Sequence, residues 1–572
     1  MSIKKHYYQV YVLITVVLLY SSAAQAKKRE DACKAPKLTV VIVVDQFAHH
    51  IVQKLKSHFK HGLKKLLNQG IVYHQARHPH AVPETTPGHH ALSTAVVPRD
   101  HGAVLNQWLN RKGVRTHYEL DSSGKASVIS PTGVYEEGKS PENTDVDGLS
   151  DQFIFHSTDE CPHQVFALSL KSYPAISMAN RKGKAFWIDQ KNGLFTSSKA
   201  YCDQLPDWVQ QFNKDKAIDK LTHCTWKTVF DKSSKAYKFP EIRNYDFAGF
   251  DFSMIDKIKI PLNKSTEKSH KNNKHKAAQP YEIFCKTPQS SKLLLSFAKR
   301  CIKRNLDKKN GKMLLWVSLS NFDLLGHFYG PDSMEAIDLA YHIDKQIGDF
   351  LQALDQYVGK GKALVVLTAD HGIAPFPELM KKHGFNAARR IMADDLIQRM
   401  NEHIKLKYRT GKIVAAYEPM HFRLNREIMN TLSQSQQEAV VDDLKKFLIQ
   451  EPGIKNAWTA EDLKTKYYEL RSLEQFYRNQ VYRGRTGDII IQPMPYVQVT
   501  HYAKGTAHMT PYDYDTHVPL IIYQKGRFYK GNVHNKVWMQ QLPVTLAHIF
   551  GIPRPSASLF KILPGIERVG IK

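Results

Sequence analysis

The chain has 572 residues, 42% hydrophobic and 10% aromatic, and its 81 Lys and Arg against 54 Asp and Glu give a formal charge of +27. That apolar content excludes a disordered chain, and the length suits one large α/β domain with insertions or two to three domains. The lysines are spread along the chain, so the charge reads as a solvated basic surface and no specific nucleic-acid partner is expected.

The first 26 residues read as a secretory leader. Lys4 and Lys5 give a positive start, Val10 to Tyr20 is apolar, and Ala24-Gln25-Ala26 is a small-x-small cleavage site. The leader carries two lysines and no acid, which leaves +25 on the rest. An uncleaved N-terminal anchor is the alternative. No later segment approaches roughly 18 consecutive apolar residues, so the mature chain is expected to be soluble and periplasmic or secreted. Its six cysteines then meet an oxidising compartment that allows up to three disulfides, and none lies in a C-x-x-C pair.

Lys37 to Val44 (KLTVVIVV) is a β-branched run of the kind buried on both faces of a sheet, and it ends on Asp45. His49 to Gln69 is expected to be helical and is closed by Gly70; Ile71 to His74 forms the next strand. HAVPETTPGHHALSTAVVPRDHGAVLNQW, residues 80 to 108, reads as a loop that enters a helix near Thr85. Residues 110 to 150 are Gly-, Ser- and Asp-rich and read as a surface excursion. VFALSL at 165–170 is a strand that delivers Lys171, KAFWID at 184–189 is another, and LPDWVQQFN at 205–213 opens a helix.

Residues 263 to 279 form a Lys/Asn/His-rich run without large aliphatic side chains, expected to be a surface loop. The core pattern returns with helices at 290–304 and 332–358 and strands at 313–319 and 363–368. Alternation of buried strands with such helices predicts an α/β fold, with a mostly parallel central sheet covered by helices on both faces. Residues about 380–495 break the rhythm with polar helices such as Ser433 to Ile449 and alternating strands such as Ala415 to Leu424. They read as an inserted smaller lobe within one catalytic domain spanning 27–572. A strand at 518–523 and a helix at 539–550 close the core.

Three core strands end in metal-binding residue types. Asp45 follows the first, Asp323 and His327 follow the strand at 313–319, and Asp370 and His371 follow the strand at 363–368. Open parallel sheets bind ligands outside the carboxyl ends of their strands, so these five converge by topology. Asp323 and His327, four apart, share a helix face, and His508 is a further candidate from a late loop. Carboxylate with neutral imidazole suits Zn²⁺, and two such ions serve in-line displacement at phosphorus.

With these residues the chain resembles the alkaline phosphatase superfamily, on the periplasmic monoesterase branch that is similar to nucleotide pyrophosphatase/phosphodiesterases. The resemblance runs through VVDQ (43–46), TTPGHHALSTAVVPRDHG (85–102), SLKSYPA (169–175), the LPDWVQQFN helix, DLLGHFYGPDS (323–333), TADHG (368–372) and GTAHMTPYDYDTHVPL (505–520). It implies that Asp45, Asp370 and His371 bind one zinc ion and Asp323, His327 and His508 the other. It implies Thr85 as nucleophile, with Thr86 the alternative, and Asn106 and Lys171 as partners of the phosphoryl oxygens. Where the branch has an Arg two residues after the Lys, this chain has Tyr173, whose hydroxyl offers one hydrogen bond in place of a two-pronged grip. Arg181 and Lys182 are the nearby cations that stand in reserve. After His508 the family's Gly-Ser is replaced by Met509-Thr510.

The expected activity is hydrolysis of a small phosphorylated substrate, as a phosphomonoesterase acting through a phosphothreonine on Thr85. A phosphodiesterase or nucleotide pyrophosphatase on the same metals is the alternative, and a non-catalytic exported anion-binding protein is a third. No cysteine stands in the C-x-P-x-R setting of sulfatases. Oligomeric state is left open.

Overall fold

The structure, a computed structural model, describes residues 36–110, 113–130, 133–222, 224–239, 241, 253–256, 281–306, 310–469, 471–527 and 530–566. The leader at 1–26, Cys33 and the basic run at 263–279 lie outside the described residues.

Leu38–Val44 sits in the middle of the main sheet, and every residue in it is buried. It pairs in parallel with Lys312–Leu319 on one side and Leu364–Thr368 on the other. His163–Ser169 and then Lys184–Ile188 continue the parallel series outward. Beyond Leu364–Thr368 come Leu520–Tyr523, Ile71–Arg77 and Gly531–Trp538. Leu520–Tyr523 is antiparallel to both neighbours and Ile71–Arg77 is parallel to Gly531–Trp538, so only Leu520–Tyr523 is reversed among these eight strands. Continuous β-branched runs such as LTVVIVV suit this setting, because both faces are covered.

Helices form two layers. Gly62–Gln69, Pro288–Asn305 and Asn321–Tyr329 pack around the long helix Met334–Val358. Thr85–Thr94, Leu149–Phe155, Ser172–Ala179 and Gln541–Phe550 pack together as the second layer. Among the described residues, no helix is long and apolar enough to cross a membrane.

The structure departs from the sequence expectation in four places. The stretch expected as one helix from His49 to Gln69 is two helices, His49–Leu55 and Gly62–Gln69. The Asp344 carboxylate, from the long helix, accepts the backbone N–H groups of Lys60, His61 and Leu63 at 2.8, 2.9 and 2.7 Å, and so caps a second helix there. Residues 110 to 150, expected as an excursion, supply Ser127–Ser130, Gly133–Lys139 and Leu120–Asp121 to the far edge of the main sheet beyond Phe195–Ser198. These strands are too short and too polar to announce themselves by alternation. Ala415 to Leu424 is a hairpin, Val414–Glu418 and His421–Leu424, turned at Met420 with φ 60°. With Ile489–Pro493 and Ile454–Trp458 it makes a separate four-stranded antiparallel sheet. Finally, Cys202, Cys224, Cys285 and Cys301 are free thiols, so the three-disulfide framework that six cysteines allow is not built. Cys285 and Cys301 are buried in the core, where a thiol packs as a small apolar group.

Candidate functional site

Register decides the site. Val44 pairs with Leu319 and Val43 with Thr368, so three neighbouring strands end at one level. Asp45 leaves the first. Asp323 and His327 follow the second on helix Asn321–Tyr329, and Asp370 and His371 follow the third. Ser169 pairs with Ser318 on the next strand and sets Lys171 beside them.

Two groups of donors come close enough to share an ion. Asp45, Asp370 and His371 offer ligand atoms within 4.8 Å of one another, and so do Asp323, His371 and His508. His371 belongs to both. His327 stands outside these groups; its Nε2 lies 3.2 Å from Asp323 Oδ1 and its ring centroid 5.0 Å from that of His508.

The hydrogen bonds behind the donors fit a cation. Nδ1 of His371, His327 and His508 faces a backbone carbonyl: Gly372 O at 2.9 Å, Thr506 O at 2.9 Å and Pro83 O at 2.6 Å. A carbonyl only accepts, so each Nδ1 carries the proton and each Nε2 keeps its lone pair for a metal. Asp45 Oδ1, Asp370 Oδ2 and His371 Nε2 are buried and have no hydrogen-bond partner, and burying such atoms without a partner is costly. Gln46 ties the acids together through N–H to Asp370 Oδ1 at 3.1 Å and Nε2 to Asp323 Oδ1 at 2.9 Å. It holds φ at 70°, a conformation that a residue with a side chain adopts only where its surroundings impose it.

Lys171 carries the positive charge in the cluster. Its Nζ is 2.8 Å from Asp45 Oδ2 and 2.5 Å from Asp323 Oδ2. Burial works against this ammonium, but the Asp323 and Asp45 carboxylates hold its pKa well above the ordinary value. Burial, then the charges of Asp323 and Asp370, push Asp45 well above the carboxylate range. Burial also raises Asp370 to about 7 and keeps His371 neutral.

The loop in front of this cluster becomes the helix Thr85–Thr94, in which every residue is buried. Thr85 is its first residue. Glu84 precedes it and has no side-chain hydrogen bond to the helix; its carboxylate accepts the Asn106 N–H at 2.7 Å. Asn106 Oδ1 in turn accepts the Thr86 N–H at 2.8 Å. This bond assigns Oδ1 to the backbone and leaves the Nδ2 donors without a bond among the described residues. His89 Nδ1 donates to Thr85 O at 2.8 Å and lies 3.1 Å from Asp370 Oδ2, and its Nε2 is 2.9 Å from Ser318 Oγ. Gly88 permits the approach, since a Cβ there would fall 2.8 Å from the Asp370 carbonyl carbon and closer still to its oxygen. Thr86 Oγ1 is buried without a partner.

Tyr173 stands beside Lys171, whose Nζ is 5.6 Å from the ring centroid. Burial lifts the phenol above its ordinary pKa, so it is a neutral hydrogen-bonding group. The two reserve cations do not reach it. Arg181 donates to the carbonyls of Thr144 and Val146, and Lys182 lies over the Phe155 ring at 5.7 Å. Lys139 bonds to Oγ of Ser172, the residue before Tyr173, at 2.9 Å and to Glu119 Oε1 at 3.1 Å. Sequence reasoning missed Lys139, Glu119 and Glu84. Only Glu84 carried a signal, as the neighbour of Thr85.

The model of the type I phosphodiesterase / nucleotide pyrophosphatase family matches residues 39–518. The chain belongs to this family. It is therefore an enzyme, a hydrolase of phosphoric esters within the alkaline phosphatase superfamily. The alkaline phosphatase PafA of Elizabethkingia meningoseptica is 27% identical, with 97% of this chain and 98% of that protein covered. The alkaline phosphatase PhoV of Synechococcus elongatus is 26% identical, with 96% and 98% covered. The crystal structure of wild-type PafA superposes with a TM-score of 0.80 at 25% identity, covering 92% of this chain and 98% of that one.

Proposed function

We propose that this enzyme is an exported two-zinc phosphomonoesterase that works through a phosphothreonine on Thr85. The observation that carries the reading is the set of three imidazoles whose Nδ1 protons are fixed by carbonyls, with Nε2 turned toward the buried carboxylates of Asp45, Asp323 and Asp370. Asp45, Asp370 and His371 would hold one ion, and Asp323, His327 and His508 the other. Zinc at these positions would acidify the Thr85 hydroxyl and a water and would neutralise the leaving oxygen. The sequence relatives named alkaline phosphatases support hydrolysis of a monoester.

The chain's own residues supply the rest. Thr85, at the first turn of a helix, presents its hydroxyl where backbone N–H groups and the helix dipole favour an anion. Its oxygen attacks phosphorus in line with the departing ester oxygen, and a phosphothreonine forms as the alcohol leaves. Asn106 Nδ2 and Lys171 Nζ donate to the equatorial oxygens, where the transition state spreads its charge. Water then cleaves the phosphothreonine and returns the Thr85 hydroxyl.

The second reading, a phosphodiesterase, is favoured by Tyr173. With Arg181 and Lys182 engaged elsewhere, Lys171 is the cation bonded within the cluster, and a diester carries less charge to be held than a monoester dianion. Metal analysis of the purified protein with turnover of nitrophenyl phosphate and bis(nitrophenyl) phosphate separates the two. The expected results are two zinc ions per chain, faster monoester turnover, and a loss of at least about a thousandfold in Thr85→Ala. Faster diester turnover establishes the second reading. Full activity in Thr85→Ala, with loss in Thr86→Ala, moves the nucleophile by one residue.

A further inference from the structure

The loop that carries Asn106 is braced from a distant part of the chain. Residues 479 to 487 lead into Ile489–Pro493 of the small four-stranded sheet and run along the back of residues 79 to 109. Asn479 Nδ2 donates to Pro79 O at 2.7 Å, the Arg99 N–H to Asn479 O at 2.8 Å, and Gln480 Nε2 to Val104 O.

Arg485 makes the most contacts in this brace. Its guanidinium donates through Nη1 to Gly102 O at 2.7 Å and Asn143 O at 2.7 Å, and through Nη2 to Asn143 Oδ1 at 3.2 Å. Its Cζ lies 4.8 Å from the centroids of both Trp108 and Tyr482, so it sits against two aromatic rings. The chain at Gly102 is shaped for it, with φ 82° and a position where a Cβ would come 2.6 Å from Arg485 Nη1. Gly102 and Trp108 bracket Asn106 in sequence. The guanidinium therefore contacts both ends of the short stretch in which Asn106 meets Glu84 and Thr86.

We propose that Arg485 is a positioning residue for Asn106, and that the small sheet serves catalysis by holding this loop. The inference rests on the reading of Asn106 as a donor to the phosphoryl group. A planar, five-donor guanidinium is suited to two carbonyls and two rings at once, and a lysine ammonium is not. A displacement of the loop by about an ångström is enough to cost a positioned donor a large part of its effect.

The test is a set of double-mutant cycles with nitrophenyl phosphate on the zinc-loaded enzyme. Arg485→Lys keeps the charge and spares the fold, and Arg485→Ala accompanies it. In the otherwise native enzyme Arg485→Lys is expected to lower kcat/KM about tenfold with the zinc content unchanged. In the Asn106→Ala background the further loss falls below about twofold, whereas in the Lys171→Ala background the full tenfold persists. An equal factor in all three backgrounds overturns the proposal, as does an Arg485→Lys enzyme of native activity. Asn106→Ala by itself tests the underlying reading, since an unchanged rate there refutes Asn106 as a phosphoryl donor before Arg485 is considered.

Discussion

Replacing Lys171 by Met separates the two jobs of that ammonium. In the metal-free protein Lys171 Nζ contacts Asp45 at 2.8 Å and Asp323 at 2.5 Å, and its side chain is only 5% exposed. Asp370 adds a third buried carboxyl, raised to about 7 by burial. Met fills a similar volume and removes the charge, so two carboxylates lose their partner. Removing one member of a buried ion pair costs about 3–5 kcal/mol, and we expect about 3 because Asp45 can take up a proton. A domain of roughly 500 residues unfolds with about 1 kcal/mol/K of entropy, so Tm should fall by about 3 °C. With zinc bound as proposed, the same carboxylates would face divalent cations, and Lys171→Met should then shift Tm by less than about 1 °C while kcat/KM drops by about a hundredfold. Scanning calorimetry of both variants, with chelator and with zinc, reads these shifts directly. An equal loss of Tm in both states would refute the reasoning, because the lysine would then be acting through packing alone.

Gly88→Ala should be among the most damaging single-methyl changes in the chain, since its Cβ would overlap the Asp370 carbonyl. Overpacking of this kind costs about 1–3 kcal/mol, and here zinc content should fall together with Tm. A variant that keeps both would show that the helix Thr85–Thr94 can shift off Asp370. Acid should weaken the fold through its buried histidines. Burial lowers His78 to about 4 and His90 to about 3, and both are fully buried. A depressed histidine stays neutral in the native state while the unfolded chain takes up the proton. The stabilisation is therefore complete above pH 6.5 and is lost as the pH falls from there towards the folded value. By pH 5 each should have lost about 2 kcal/mol. Denaturant midpoints at pH 7.5 and 5.0 check this, with His90→Gln expected to flatten the difference; an unchanged slope in that variant would exclude His90 as a contributor.

Much of the site was legible because its chemistry sits where the periodicity changes. Asp45, Asp323, Asp370 and His371 stand just beyond apolar β-branched runs, and a parallel sheet must bring such strand ends to one edge. The spacing of Asp323 and His327 requires only a helix, and helix Asn321–Tyr329 provides it. The Thr85 loop and Lys171 carried motif signals of the same local kind.

What pairs with what came from the tertiary structure alone. Nothing in the sequence places His371 within reach of both acid groups, ends Arg181 on the carbonyls of Thr144 and Val146, or lets Asp344 divide the stretch from His49 to Gln69 into two helices. The brace on Asn106 by Arg485 joins residues almost four hundred positions apart. The physical reason is common to all four. Strand and helix periods are local properties of the backbone and leave their mark in the sequence. A long polar side chain chooses its partner by the path of loops that have no period, and that path exists only once the core has closed.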